Sequence, residues 1–225
     1  MKNETDSETL DKDPAGAGEQ GDRSQANDQI PHLVNATLGN WATALINPPK
    51  FFADMERTGG YLEPLVFAVS AGLAAGIVRM VLGLVGWGFY MTAGAALVAI
   101  VLTPIFVGIG SFIGSGIFYL IWQAMGSKAP FETAYRCAAY VTAIAPFAVL
   151  IRLIPYAGGV IALAWGCWLL VVASEKVHGI ARNKALVVFG AVFAVLAVLG
   201  LVSEYHARHL IYALGNWRVH IDSNG

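Results

Sequence analysis

From Met80 to Ser127 the chain contains no Asp, Glu, Lys, Arg or His. A helix that crosses a bilayer needs about 20 mostly apolar residues, so this stretch alone could cross twice. The rest of the chain shares the bias. Hydrophobic residues make up 56% of it and charged residues 13%, against roughly 25% charged in an average soluble domain. Of the 29 charged residues, 15 fall within the first 60 positions and 14 are left for the other 165. A water-soluble chain of this length could not cover its surface with so few charges. The chain reads as an integral membrane protein.

Net charge is −1, which excludes a broad nucleic-acid surface built from clustered Lys and Arg. Cys137 and Cys167 both lie in apolar segments and match neither a disulfide framework nor a metal-site spacing, so they read as small packing residues. No cofactor is expected. The N-terminus is acidic and polar without an apolar core, so the first spanning helix is expected to drive insertion.

Residues 1–30 carry eight acidic and three basic side chains and almost nothing bulky and apolar. Such a segment cannot offset its ordering entropy by burial and is expected to be a disordered acidic tail. Residues 31–58 change character. Leu33, Val34, Thr37, Leu38, Trp41, Leu45 and Ile46 recur mainly at three- and four-residue steps, the mark of one apolar helical face. Asn47, Pro48 and Pro49 stop that helix and start a short second one, Phe51 to Arg57. Neither piece is long enough to span, and their aromatic faces suit the membrane interface or a groove on the bundle.

Five spans are expected: Leu65–Val85, Leu97–Trp122, Thr133–Leu153, Gly158–Ser174 and Ala185–Val202. Gly86, Trp87 and Gly88 are the main turn signal between the first two. Gly126 to Pro130, Pro155 to Gly158 and the polar run Glu175 to Lys184 mark the other breaks. The fold class is an all-α polytopic membrane bundle of about five transmembrane helices with a short interfacial helical prelude. The membrane domain runs over 59–204, and 205–225 forms a tail with apolar residues that suit the surface. Basic residues in short loops bias a loop to the cytoplasm. Lys50, Arg57, Lys128, Arg136, Lys176, Arg182 and Lys184 fall on the side of the N-terminus; Arg152, Arg208 and Arg218 fall on the other. The expectation is a cell-membrane protein with the N-terminus cytoplasmic and the 205–225 tail outside.

Several short elements carry a resemblance. Asn47-Pro48-Pro49-Lys50-Phe51-Phe52 precedes Pro64-Leu65 at the head of the first span. Phe131, Tyr135 and Tyr140 lead to Ala145-Pro146, followed by Ile154-Pro155, Gly158-Gly159, Trp165, His178 and Lys184-Ala185. In order and spacing these resemble the Yip (Ypt-interacting protein) domain family in its prokaryotic form, over about residues 47–203. The resemblance implies a five-span fold. Eukaryotic members of that family act in vesicle traffic and contact prenylated Rab-type GTPases; prokaryotic relatives lack that machinery, so the resemblance carries fold and topology only.

Small residues are spaced for close helix contact at Gly72 and Gly76, Gly110 and Gly114, Ser111 and Ser115, and Gly190 and Ala194. Such pairs serve packing within a bundle or a homo-oligomer face. Pro104 and Pro146 fall inside spans and each removes a backbone donor. Proton- or ion-coupled carriers keep an acid or histidine deep in the bilayer; here Glu63, Glu132, Glu175 and Glu204 fall at span ends and His178 in a loop. Glu132 and Arg136, four apart, are expected to pair within one helix. Arg79 and Arg152 are placed to snorkel to the headgroups.

No enzyme motif is present: no GxSxG, HExxH, P-loop or paired intramembrane aspartates. Ser174 and His178 are four apart but lack an orienting acid, and His206 and His209 are three apart in a polar tail. Asn3-Glu4-Thr5 and Asn35-Ala36-Thr37 match the glycosylation pattern, yet the expected topology puts both in the cytoplasm. The reading is a non-enzymatic organising or interaction protein in contact with the bilayer, with a protein partner on the cytoplasmic face and a homo-oligomer as further contacts. The alternative is a passive or lipid-handling transporter with a polar path near Tyr140, Thr142 and Pro146. The candidate interaction residues are Trp41, Phe51, Phe52, Tyr140, Pro146 and His178. Trp41, Phe51 and Phe52, with the segment Lys176 to Lys184, are expected to be exposed handles.

Overall fold

A computed structural model describes residues 39–41, 43–85 and 93–222; of residues 93–97 and 211–222 only the backbone course is described. The acidic 1–30 segment, both glycosylation patterns and the Gly86-Trp87-Gly88 turn lie outside the described residues. Every described element is helical. Backbone over 39–41 and 43–46 is helical, and α1 (Pro48–Asp54) follows at once. Asn47 divides them: its side-chain oxygen accepts from the Lys50 N–H at 3.2 Å, while Pro48 and Pro49 occupy the first turn, where no donor is needed.

Five helical spans come next: α2 (Leu62–Leu84), α3 (Ala93–Ala124), α4 (Phe131–Val141) joined to α5 (Ala145–Ile151), α6 (Ala157–Lys176) and α7 (Arg182–Asp222). All five are long and apolar enough to cross a membrane. Their outer surfaces are apolar too. Phe106 and Leu120 of α3 are each 68% exposed, and Val187 of α7 is 73% exposed. Water would not tolerate such a surface, whereas lipid does, since each helix satisfies its own backbone hydrogen bonds.

The spans lie where the apolar runs place them, with two differences. Thr142–Ile144 forms a 3-10 turn that splits the third span. Pro146 stands at the second position of α5, where its missing N–H leaves no carbonyl orphaned. The fifth helix does not end near Val202. It continues through Glu204, His206 and His209 to Asp222, 41 residues in all. At 1.5 Å per residue that is about 61 Å, roughly twice the hydrocarbon thickness. Glu204 accepts from Arg208 at 2.7 Å, four residues on, and Tyr205 and His209 stack at 4.3 Å. These one-turn pairs carry the helix through a polar stretch that reads as a separate tail.

The most extensive helix pairing is α2 against α3. A Cβ on Gly72 would lie 2.5 Å from Pro104 Cα, and one on Gly76 would lie 3.0 Å from Ile100 Cα. This small-residue pair therefore serves packing within the chain. Gly110 and Gly190 face open space. The core proper sits toward the end that carries α1 and the α3–α4 and α6–α7 loops, where Trp122, Cys137, Tyr140, Leu169 and Phe189 are buried.

Candidate functional site: a latch over one end of the bundle

The helical prelude does not present its aromatics to the outside. Phe51 is 6% exposed and Phe52 2%, both within the core. Phe51 meets the Tyr140 ring edge-on at 4.9 Å, and Phe67 of α2 meets the same ring at 4.9 Å. Trp41 is partly buried, with its ring 6.0 Å from Phe67, and its indole N–H has no partner among the described residues. The expectation of exposed handles is thus corrected for Phe51 and Phe52. Their apolar area is withdrawn into the bundle because a groove between α2, α4 and α6 accepts it.

Charged groups fasten the same segment. Arg136 of α4 is 1% exposed, and its guanidinium is filled on every side. Nε donates to Glu56 O at 2.7 Å, Nη1 to Gly60 O at 3.1 Å and Nη2 to Glu63 Oε2 at 2.8 Å. Glu63 Oε1 accepts from the Tyr140 hydroxyl at 3.1 Å and from Asn40 at 3.4 Å. The intrahelical Glu132–Arg136 pair is not formed. Glu132 instead accepts the N–H groups of Gly59 and Gly60 at 2.7 and 2.6 Å. Thr133 donates to Arg57 O at 2.9 Å. A planar fork with several donors suits a strap that offers carbonyls and one carboxylate together, which no lysine could match. A recess of about 310 Å³ remains over this network, lined by Asn40, Asp54, Glu56, Glu63, Arg136 and Tyr140 among others.

His178 organises the neighbouring loops. Its Nδ1 lies 2.8 Å from Ser127 Oγ and its ring stacks on Trp122 at 4.1 Å. Burial first, and the Arg57 charge second, lower its pKa to about 4, so the ring is neutral near pH 7. Ser174 does not bond to His178; it donates to Leu170 O and accepts from the Trp122 indole at 2.7 Å. The Cys137 sulfur stands 3.9 Å from His178 Nε2, but the thiol is fully buried and no substrate reaches it. Pro146 is buried in α5, away from the latch, as part of the packing against α2. His206 bonds Val202 O. Among the described residues no group of three His, Cys, Asp or Glu could hold a metal.

Of the six residues singled out by sequence, Trp41, Phe51, Phe52 and Tyr140 converge, and His178 lies beyond Cys137 on the next layer. Glu63, Arg136 and Glu132 are the polar centre that the sequence did not reveal. A signal was present: Thr133, Arg136, Cys137 and Tyr140 recur at three- and four-residue steps and so share one face.

These features define a polytopic all-α membrane bundle whose amphipathic prelude is locked onto one end. The model of the Yip1 domain matches residues 42–203, and the chain belongs to that family. No curated protein and no solved structure matches it.

Proposed function

We propose that the protein organises or recruits other proteins at the membrane and catalyses no reaction. The observation that carries this reading is the latch itself. Its polar groups are spent on holding the prelude, and they sit at one end of the bundle, not along a path through it. Around it the exposed cations Lys50, Arg57, Lys128, Lys176, Arg182 and Lys184 outnumber the exposed acids Asp54 and Glu56. With the N-terminus cytoplasmic, as the basic loops favour, this rim faces a cytoplasmic partner. The basic segment Lys176 to Lys184 then replaces Phe51 and Phe52 as the contact surface. Rim charges steer association and set its salt dependence more than its ultimate strength.

The test is recovery of co-purifying protein with Lys176→Ala, Arg182→Ala and Lys184→Ala combined, against the unaltered chain. Recovery should fall several-fold at low salt while the melting temperature holds. Flux or lipid scrambling by the reconstituted protein, abolished by Tyr140→Phe and indifferent to the loop variant, would favour a transporter instead.

A further inference from the structure

At the end opposite the latch, a groove of about 1030 Å³ lies between α6 and α7. Leu153, Val160, Leu163, Leu196 and Leu201 give it apolar walls, and Gly159 and Gly200 give it depth. Neither glycine has an atom within 4 Å of where a Cβ would stand. The mouth is different. Arg152, Arg208, Tyr156 and Glu204 line it. Among the described residues, two guanidiniums and one carboxylate line the mouth. Glu204 is taken up by Arg208 at 2.7 Å and by the Tyr156 N–H at 3.0 Å. Arg152 is exposed and makes no ion pair among the described residues.

The backbone at this mouth is strained. Tyr156 has φ 59° and ψ −49°, and Ala157 N–H donates to Pro155 O at 2.6 Å across it. This is the tight turn of the rarer hand, costly for a residue with a Cβ. Glu204 holds its N–H, and the Arg208 guanidinium covers its ring at 5.1 Å. Two α7 side chains therefore fix the α5–α6 loop with its arginine facing the groove entrance.

We propose that this groove is a binding site for an anionic phospholipid, with the phosphate on Arg152 and an acyl chain between α6 and α7. Charge complementarity selects the occupant. The described side chains at the mouth carry a surplus of one positive charge, at Arg152, at the level where the spans end, and the walls below it match hydrocarbon. Guanidinium groups are suited to bidentate contact with phosphate oxygens. A soluble anion would fit the mouth but leave the groove empty, and a neutral lipid would fit the groove but leave Arg152 without a counter-charge.

Native mass spectrometry of the full chain tests this, with phosphatidylglycerol and phosphatidylcholine of matched acyl chains added in turn, and inorganic phosphate alone as the third probe. One phosphatidylglycerol should be retained about tenfold more tightly than phosphatidylcholine, the scale of one charge-assisted contact. Arg152→Gln should remove that preference, and Arg152→Lys should restore part of it. Gly200→Leu, which adds an apolar side chain at a position where a Cβ meets nothing within 4 Å, should weaken both lipids. Equal retention of the two lipids, unchanged binding in both Arg152→Gln and Gly200→Leu, or displacement of the lipid by millimolar inorganic phosphate would overturn the proposal.

Discussion

Arg136 in the third span and Glu63 at the head of the first form an ion pair at 2.8 Å, and the arginine partner is fully buried while the glutamate is 30% exposed. The pair joins α4 to α2 and, through Glu56 O and Gly60 O, draws in the strap between prelude and bundle. Arg136→Met should cost about 3 kcal/mol, because removing one partner strands the other's charge. Glu63→Gln combined with Arg136→Met should cost less than the two singles together. Denaturant titration in detergent gives the cycle, and strict additivity would mean that the pair is not coupled.

Phe52→Ala should behave as a core truncation, losing about 3–5 kcal/mol, since the ring is 2% exposed. Tyr140→Phe should lose about 1 kcal/mol, the value of its hydroxyl bond to Glu63. Thermal unfolding of both variants checks the order. A Phe52→Ala protein as stable as the parent would restore the exposed-handle expectation.

His178 predicts a pH dependence of stability. Burial, with the Arg57 charge nearby, holds its folded pKa down at about 4, below the ordinary histidine value of 6.5. Between those values the unfolded chain binds more protons, so stability rises with pH across that window and is flat, as far as this group goes, above it. Lowering the pH from 6.5 to 5 should therefore destabilise the parent more than His178→Gln. Carboxylates titrate mostly below that range, so parallel curves for the two proteins would remove His178 as the source.

Glycines divide by what a Cβ would meet. At Gly158 it would collide with the Ile151 carbonyl, whereas at Gly110 it meets nothing. Gly158→Ala should cost about 1–3 kcal/mol by overpacking, while Gly110→Ala should be within about 0.5 kcal/mol of neutral. Melting temperatures of the two alanine variants check this contrast.

The spans were legible because lipid demands a signal that composition cannot hide: long runs without charge. The latch was not. Glu132 and Arg136 sit four apart, a spacing that predicts a local pair, yet Arg136 finds a carboxylate and two carbonyls from residues 56–63. Long-range partners of that kind leave no periodicity. The prelude was ambiguous for a related reason, since an apolar helical face fits a membrane interface and a protein groove equally well, and only the shape of the groove decides. Pro146 removes a backbone donor inside the expected third span, but sequence alone did not show that a 3-10 turn at Thr142–Ile144 splits that span. The extension of α7 was hidden by Glu204, His206 and Arg208, polar residues that read as the end of a span. Their spacing closes pairs within the helix instead.

The most direct test of the account is topological, because five spans put the latch and the arginine-mouthed groove on opposite sides of the membrane. Cys137 and Cys167 are buried, so a cysteine introduced at an exposed position can be read with a membrane-impermeant maleimide. Asn183→Cys lies at the latch end and Leu153→Cys in the loop at the groove mouth, both exposed. In intact cells Leu153→Cys should label and Asn183→Cys should label only after permeabilisation. Labelling of both positions from the same side would contradict the five-span arrangement.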